Sequence, residues 1–95
     1  MIRFEWDEVK SRANLAKHKI SFETAALVFD DPYQRSNLER IVDGEQRWQT
    51  LGMIGGGTFV LVAHTYREEA GEEVIRIISA WKATSTERRA YEEAN

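Results

Sequence analysis

The chain has 95 residues and a mass of 11.0 kDa, the length of one domain spanning 1–95. With 42% hydrophobic and 31% charged residues it reads as a folded globular protein, and the absence of cysteine excludes disulfides, a thiol nucleophile and thiolate metal sites. Its net charge of −3 argues against a large nucleic-acid surface, yet the acids cluster at Asp30-Asp31, Asp43–Glu45 and Glu68–Glu73, which leaves room for a local basic face.

In chain order, Ile2–Trp6 alternates apolar and polar residues, the period of a half-buried strand. Asp7 is placed to cap a helix on which Val9, Ala13 and Ala16 form an apolar stripe and Lys10, Asn14 and Lys17 a polar one. That helix ends at His18-Lys19. Ser21 caps a second, apolar helix carrying Phe22, Ala25, Ala26 and Phe29, which Asp30-Asp31-Pro32 stops. Strands follow at Tyr33–Val42, Gln46–Ile54, Thr58–Arg67 and Val74–Lys82, separated by turns at Asp43-Gly44, Gly55–Gly57 and Gly71. Thr84-Ser-Thr-Glu87 has the form of a capping box opening a C-terminal helix. The order β-α-α-β-β-β-β-α predicts an α+β fold, an antiparallel sheet with its helices on one face. No apolar run is longer than that of Phe59–Ala63, far short of the ~20 residues that span a membrane, and the N-terminal residues lack an apolar signal core. A cytoplasmic protein with no membrane partner is expected. With His18 and His64 the only histidines, no metal site and no cofactor are expected.

Strand alternation sorts the side chains. On the fourth strand Phe59, Leu61 and Ala63 share one side, and Val60, Val62, His64 and Tyr66 the other. Giving the purely aliphatic sides to the helices places His64, Tyr66, Arg76 and Lys82 on an open face. Pairing Leu51 and Met53 with Leu61 and Phe59 adds Trp48 to it. Aromatic rings that stack bases and cations that hold phosphates are the means by which single-stranded RNA is gripped. A histidine with an arginine and a lysine also suits phosphodiester cleavage without a metal: the base takes the 2′-hydroxyl proton and the cations stabilise the charge that builds on the phosphate.

Phe4-Glu-Trp-Asp7, Asn14-Leu-Ala-Lys17-His18, Ile20-Ser-Phe-Glu23, Phe29-Asp30, Glu45-Gln-Arg-Trp48 with Gly52, Arg76-Ile-Ile-Ser-Ala80 and Glu87–Glu92 together resemble the BrnT toxins of BrnT/BrnA type II toxin–antitoxin modules. The resemblance covers essentially the whole chain. It implies a RelE-like fold and a small bacterial ribonuclease that cleaves RNA without a metal and arrests translation and growth. It further implies a cognate BrnA-like antitoxin with a ribbon-helix-helix domain, through which alone the complex meets operator DNA. Two positions depart from the family pattern: Lys19 stands where glycine is common, and Trp81 where arginine is usual, which leaves Lys82 to serve in that arginine's place. The alternative reading is a catalytically weakened homologue that acts only as the antitoxin's partner and co-repressor.

The catalytic candidates are therefore His64 as base, Arg76 on the phosphate and Lys82. The RNA-binding candidates are Lys17, His18, Arg47, Trp48, Tyr66, Arg67, Trp81, Arg88, Arg89 and Tyr91. Most carry a second reading. His64 is either the base or a strand histidine bonded to a neighbour, and Arg76 either a phosphate ligand or a cross-strand ion pair. Trp48 is a stacking platform or core. Arg88 and Arg89 have i,i+4 partners in Glu92 and Glu93. Tyr91 is a proton donor or a helix anchor, and Trp81 is core or swung out toward RNA.

Overall fold

A computed structural model describes residues 1–94. The elements are β1 (Ile2–Glu5), α1 (Glu8–His18), α2 (Phe22–Ala25) continuing into a 3₁₀ segment (Ala26–Asp30), β2 (Arg35–Val42), β3 (Glu45–Ile54), β4 (Thr58–Glu69), β5 (Glu72–Lys82) and α3 (Ser85–Ala94). They form an α+β fold on one five-stranded sheet, ordered β1-β5-β4-β3-β2. The sheet is mixed: β2 to β5 are antiparallel neighbours, and β1 lies parallel to β5.

The local chemistry explains the boundaries. Asp7 caps α1 by accepting from the backbone N–H groups of Val9 and Lys10, and Ser21 caps α2 by accepting from that of Thr24. The capping box is closed in both directions, with Thr84 N–H donating to Glu87 (2.8 Å) and Glu87 N–H to Thr84 (3.2 Å). The β2–β3 turn places Asp43 and Gly44 at φ 50° and 78°, the left-handed pair that a tight hairpin needs. Lys19 ends α1 at φ 65°, a conformation glycine adopts at less cost.

The main core lies between the sheet and α2 with its 3₁₀ segment. Phe22, Ala25 and Val28 pack there on Val60, Val62, Ile75, Ile77 and Ala80. Gly52 keeps the 3₁₀ segment close: a Cβ there would stand 2.8 Å from Val28 Cγ1 and 3.0 Å from its carbonyl oxygen. A smaller cluster lies on the opposite face, where Tyr91 of α3 packs on Leu51 and Leu61 with Phe59 and Trp81 alongside. The helices therefore do not share one face, because α3 crosses to the other side of the sheet after β5.

The expected apolar stripe on α1 is also corrected. Val9 and Leu15 are exposed, as are Ala13 and Ala16, and the residues α1 buries are Ser11 and Asn14. Asn14 uses both amide hydrogens, donating to the carbonyls of Ile20 (2.7 Å) and Ala80 (2.9 Å). Its carbonyl accepts from Ala80 N–H and the Ser79 hydroxyl. β1 stops pairing at Arg76, so Asn14 completes the edge of β5 where no strand continues. Asp31 does the same at β3, accepting from Met53 N–H at 2.7 Å just past the end of β2.

Candidate nucleic-acid interface

The register divides the candidate residues between the two faces. β4 alternates as foreseen, with Val60, Val62, His64 and Tyr66 on one side, and Trp48 stands directly opposite His64. Leu51 and Met53 pair with Leu61 and Phe59 as expected. The assignment of that side to solvent is wrong, since it is the side the 3₁₀ segment covers. A bulge in β5 separates the rest. Ser79 pairs with Ala63 and Ile77 with His64, leaving Ile78 as the extra residue. Ile75, Ile77 and Ala80 accordingly face the main core, and Arg76 points to the opposite face from His64.

On the covered face His64 is 4% exposed, its ring edge-on to Phe29 at 5.0 Å. Its Nδ1 lies 3.0 Å from the Thr65 carbonyl, which can only accept, so Nδ1 carries the proton. Nε2 then accepts from the Thr50 hydroxyl (2.7 Å), which in turn accepts from Ser36 (2.7 Å). Burial pushes the His64 pKa down, against a smaller upward pull from the Thr65 bond, so the ring is neutral at pH 7. Trp48, Tyr66, Phe29, Ile75, Gln34 and His64 line a largely apolar cavity of about 370 Å³. Tyr66 donates to Glu73 at 2.9 Å, and that bond pushes its phenol pKa up.

The opposite face is open away from α3. Cross-strand pairing draws one row over the whole sheet: Arg40, Arg47, Thr65, Arg76 and Glu5. Arg67 and Arg3 stand in the next row, each paired with Val74. Glu5 Oε1 accepts from Arg67 (2.9 Å) and lies 3.4 Å from Arg3. The Arg67 bond, with the charges of Arg67, Arg3 and Arg76, holds the Glu5 pKa low despite some burial, so it is ionised at neutral pH. Arg47 lies 3.4 Å from Glu45, and Arg67 also meets Glu69. Among the described residues Arg76 has no ion pair. Arg47, Arg67 and Arg76 are thus brought together as candidates, and Arg3, Glu5, Arg40 and Thr65 join them unforeseen. The alternation Ile2-Arg3-Phe4-Glu5 carried the signal for two of these.

The remaining candidates lie apart. Trp81 is half-buried in the α3 cluster, not swung outward. Tyr91 is buried there, stacks edge-on against Phe59 and donates to Asp31 at 2.7 Å. Burial first, and the Asp31 bond second, push its pKa to about 12. Arg88 meets Glu92 at 3.1 Å and lies over the Phe59 ring. Among the described residues Arg89 has no ion pair with Glu93. Lys82 is exposed near Phe59 and Arg88 at the end of β5. Lys17 and His18 close α1, outside the arginine row.

A family model described as the ribonuclease toxin BrnT of type II toxin–antitoxin systems matches residues 6–87, and the chain belongs to that family. No curated protein matches it. Membership makes it a type II toxin-family protein, and such toxins have a cognate antitoxin. Among the described residues no helix is long and apolar enough to cross a membrane.

Proposed function

We propose that this member of the BrnT ribonuclease-toxin family is an endoribonuclease that binds RNA across the open face of its sheet and cleaves it without a metal. The observation that carries the reading is the run of arginines Arg3, Arg40, Arg47, Arg67 and Arg76 on that face of a chain whose net charge is −3. Four of these arginines, Arg3, Arg40, Arg47 and Arg67, are paired with Glu5, Glu39, Glu45, Glu69 and Glu72, so a polyanion binds here by exchanging its phosphates for those carboxylates. The 2′-hydroxyl attacks the adjacent phosphate, the new P–O2′ bond displaces the 5′-oxygen, and a 2′,3′-cyclic phosphate remains. Arg76, which has no ion pair among the described residues, stabilises the charge on the phosphoryl oxygens. Glu5, beside Arg76 in the row, is placed to accept the 2′-hydroxyl proton, and it gains the basicity for that step when the phosphate draws Arg67 away from it. His64 takes a structural part, because both of its ring nitrogens are engaged.

The antitoxin in this reading is BrnA-like, with a ribbon-helix-helix domain that alone contacts operator DNA. It lays acidic and apolar groups over the arginine face and silences the enzyme. The site of action is the cytoplasm, where RNA is at hand. Trp81 favours a second reading, a co-repressor without activity, since an indole packed on Leu61 and Tyr91 cannot neutralise a phosphate.

Induced expression in a bacterium separates the two: arrest of growth, relieved by co-expressed antitoxin, is the expected result. Purified protein should cut RNA but not DNA, with full activity in EDTA and cyclic phosphate ends. Growth without arrest, together with intact RNA in vitro, would leave the co-repressor.

A further inference from the structure

At the centre of the open face two buried polar atoms, Thr65 Oγ1 and Arg47 Nε, have no hydrogen-bond partner among the described residues. Thr65 is 2% exposed and stands between Arg47 and Arg76 in the row. A buried donor without an acceptor costs about 1–3 kcal/mol, and folded proteins keep few of them. Here two such donors sit on directly paired residues of β3 and β4, and the next residue across, on β5, is Arg76, which has no ion pair among the described residues.

Neighbouring strands are about 4.8 Å apart. Three donors on three successive strands therefore converge on one group small enough to lie above the middle strand and rich enough in oxygens to accept from all three. A phosphate meets both conditions. A carboxylate of a protein partner offers two oxygens, and this face already supplies carboxylates to its arginines through Glu5, Glu45 and Glu69.

We infer that Arg47, Thr65 and Arg76 form a single-phosphate subsite in which the Thr65 hydroxyl and Arg47 Nε–H donate from below and the Arg76 guanidinium closes over the phosphoryl oxygens. The inference rests on the ribonuclease reading only for the source of the phosphate, an RNA backbone. Thr65 is a binding residue here, and its hydroxyl remains intact.

The test is binding of a 2′-O-methyl oligoribonucleotide, which cannot be cleaved by 2′-attack, to the whole protein and to Thr65→Val and Thr65→Ser. Valine keeps the shape and removes the unpartnered hydroxyl, so Thr65→Val should melt at or above the wild-type temperature. It should bind the oligonucleotide about tenfold more weakly, the loss of one hydrogen bond to a charged group. Thr65→Ser should restore most of the affinity. Wild-type affinity in Thr65→Val, within twofold, overturns the subsite even if the enzyme cleaves RNA. A Thr65-dependent affinity in a protein that never cleaves RNA upholds the subsite and sinks the ribonuclease reading instead. No measurable binding by the wild type overturns the subsite outright.

Discussion

The two faces of the sheet carry polar groups of opposite standing. On the covered face the histidine is held in a closed chain, Ser36 to Thr50 to His64 to the Thr65 carbonyl, and every member has its partner. On the open face, among the described residues, Thr65 Oγ1 and Arg47 Nε have no acceptor and Arg76 has no ion pair. Satisfied polar groups inside a fold are explained by the fold. Unsatisfied ones ask for a ligand. Residue type alone points the other way, since histidine is the customary base and threonine an ordinary strand residue.

The comparison breaks first on Arg76→Ala. Loss of a charge-stabilising group should lower RNA cleavage by about 10²–10³ while the melting temperature stays near wild type. Undiminished cleavage would remove the chemistry from this face. His64→Ala should behave in the opposite way. It opens a cavity and removes one hydrogen bond each from the Thr50 hydroxyl and the Thr65 carbonyl, so denaturant unfolding should show a loss of about 3 kcal/mol. Cleavage per folded molecule should hold. A stable His64→Ala protein that cannot cut RNA would restore His64 as the base.

Trp81→Arg sharpens the boundary between the arginine face and the α3 cluster. A fully buried tryptophan is worth roughly 3–5 kcal/mol, and half-burial brings the expected loss to about 2 kcal/mol. Arginine at this position should therefore lower the melting temperature without raising cleavage. A gain in activity at unchanged stability would show that position 81 faces RNA.

The smallest effect is one of pH. Burial holds the folded His64 pKa below the ordinary 6.5, so the unfolded chain takes up a proton first. The contribution is whole above about pH 6.5 and is lost as the pH falls from there through the folded value. Chemical denaturation from pH 7 to pH 5 should show stability declining, and His64→Gln, which cannot titrate, should flatten that part of the curve. An equal slope in both proteins would assign the decline to other groups.

Caps and turns were legible from the sequence because each is decided within a few residues: Asp7, Ser21, Asp43-Gly44 and the Thr84–Glu87 box all stand where expected. Which residues shared a side of β4 was equally legible. What lay over each side was not, because that depends on helices far along the chain. The extra residue at Ile78 reversed the alternation of β5 without any glycine to announce it. The parallel pairing of β1 escaped for the same reason, since its partner begins about seventy residues later. Asn14 read as one member of a polar stripe because nothing near it reveals that Ala80 offers both of its backbone groups.

That bond has a consequence for the order of synthesis. β1 pairs with Glu73–Arg76, and Asn14 meets Ala80, so the first residues off the ribosome find their partners only when β5 has followed them out. Until then α1 can dock only on the segment that follows it, through Ser11 to Phe22 and Asn14 to Ile20, and the side it will later bury is polar rather than oily, which limits its tendency to aggregate while waiting. Arg76 and Glu5 come together only at the same late moment. An unfinished chain therefore lacks the arginine row, and whatever the row does begins only with a nearly complete molecule.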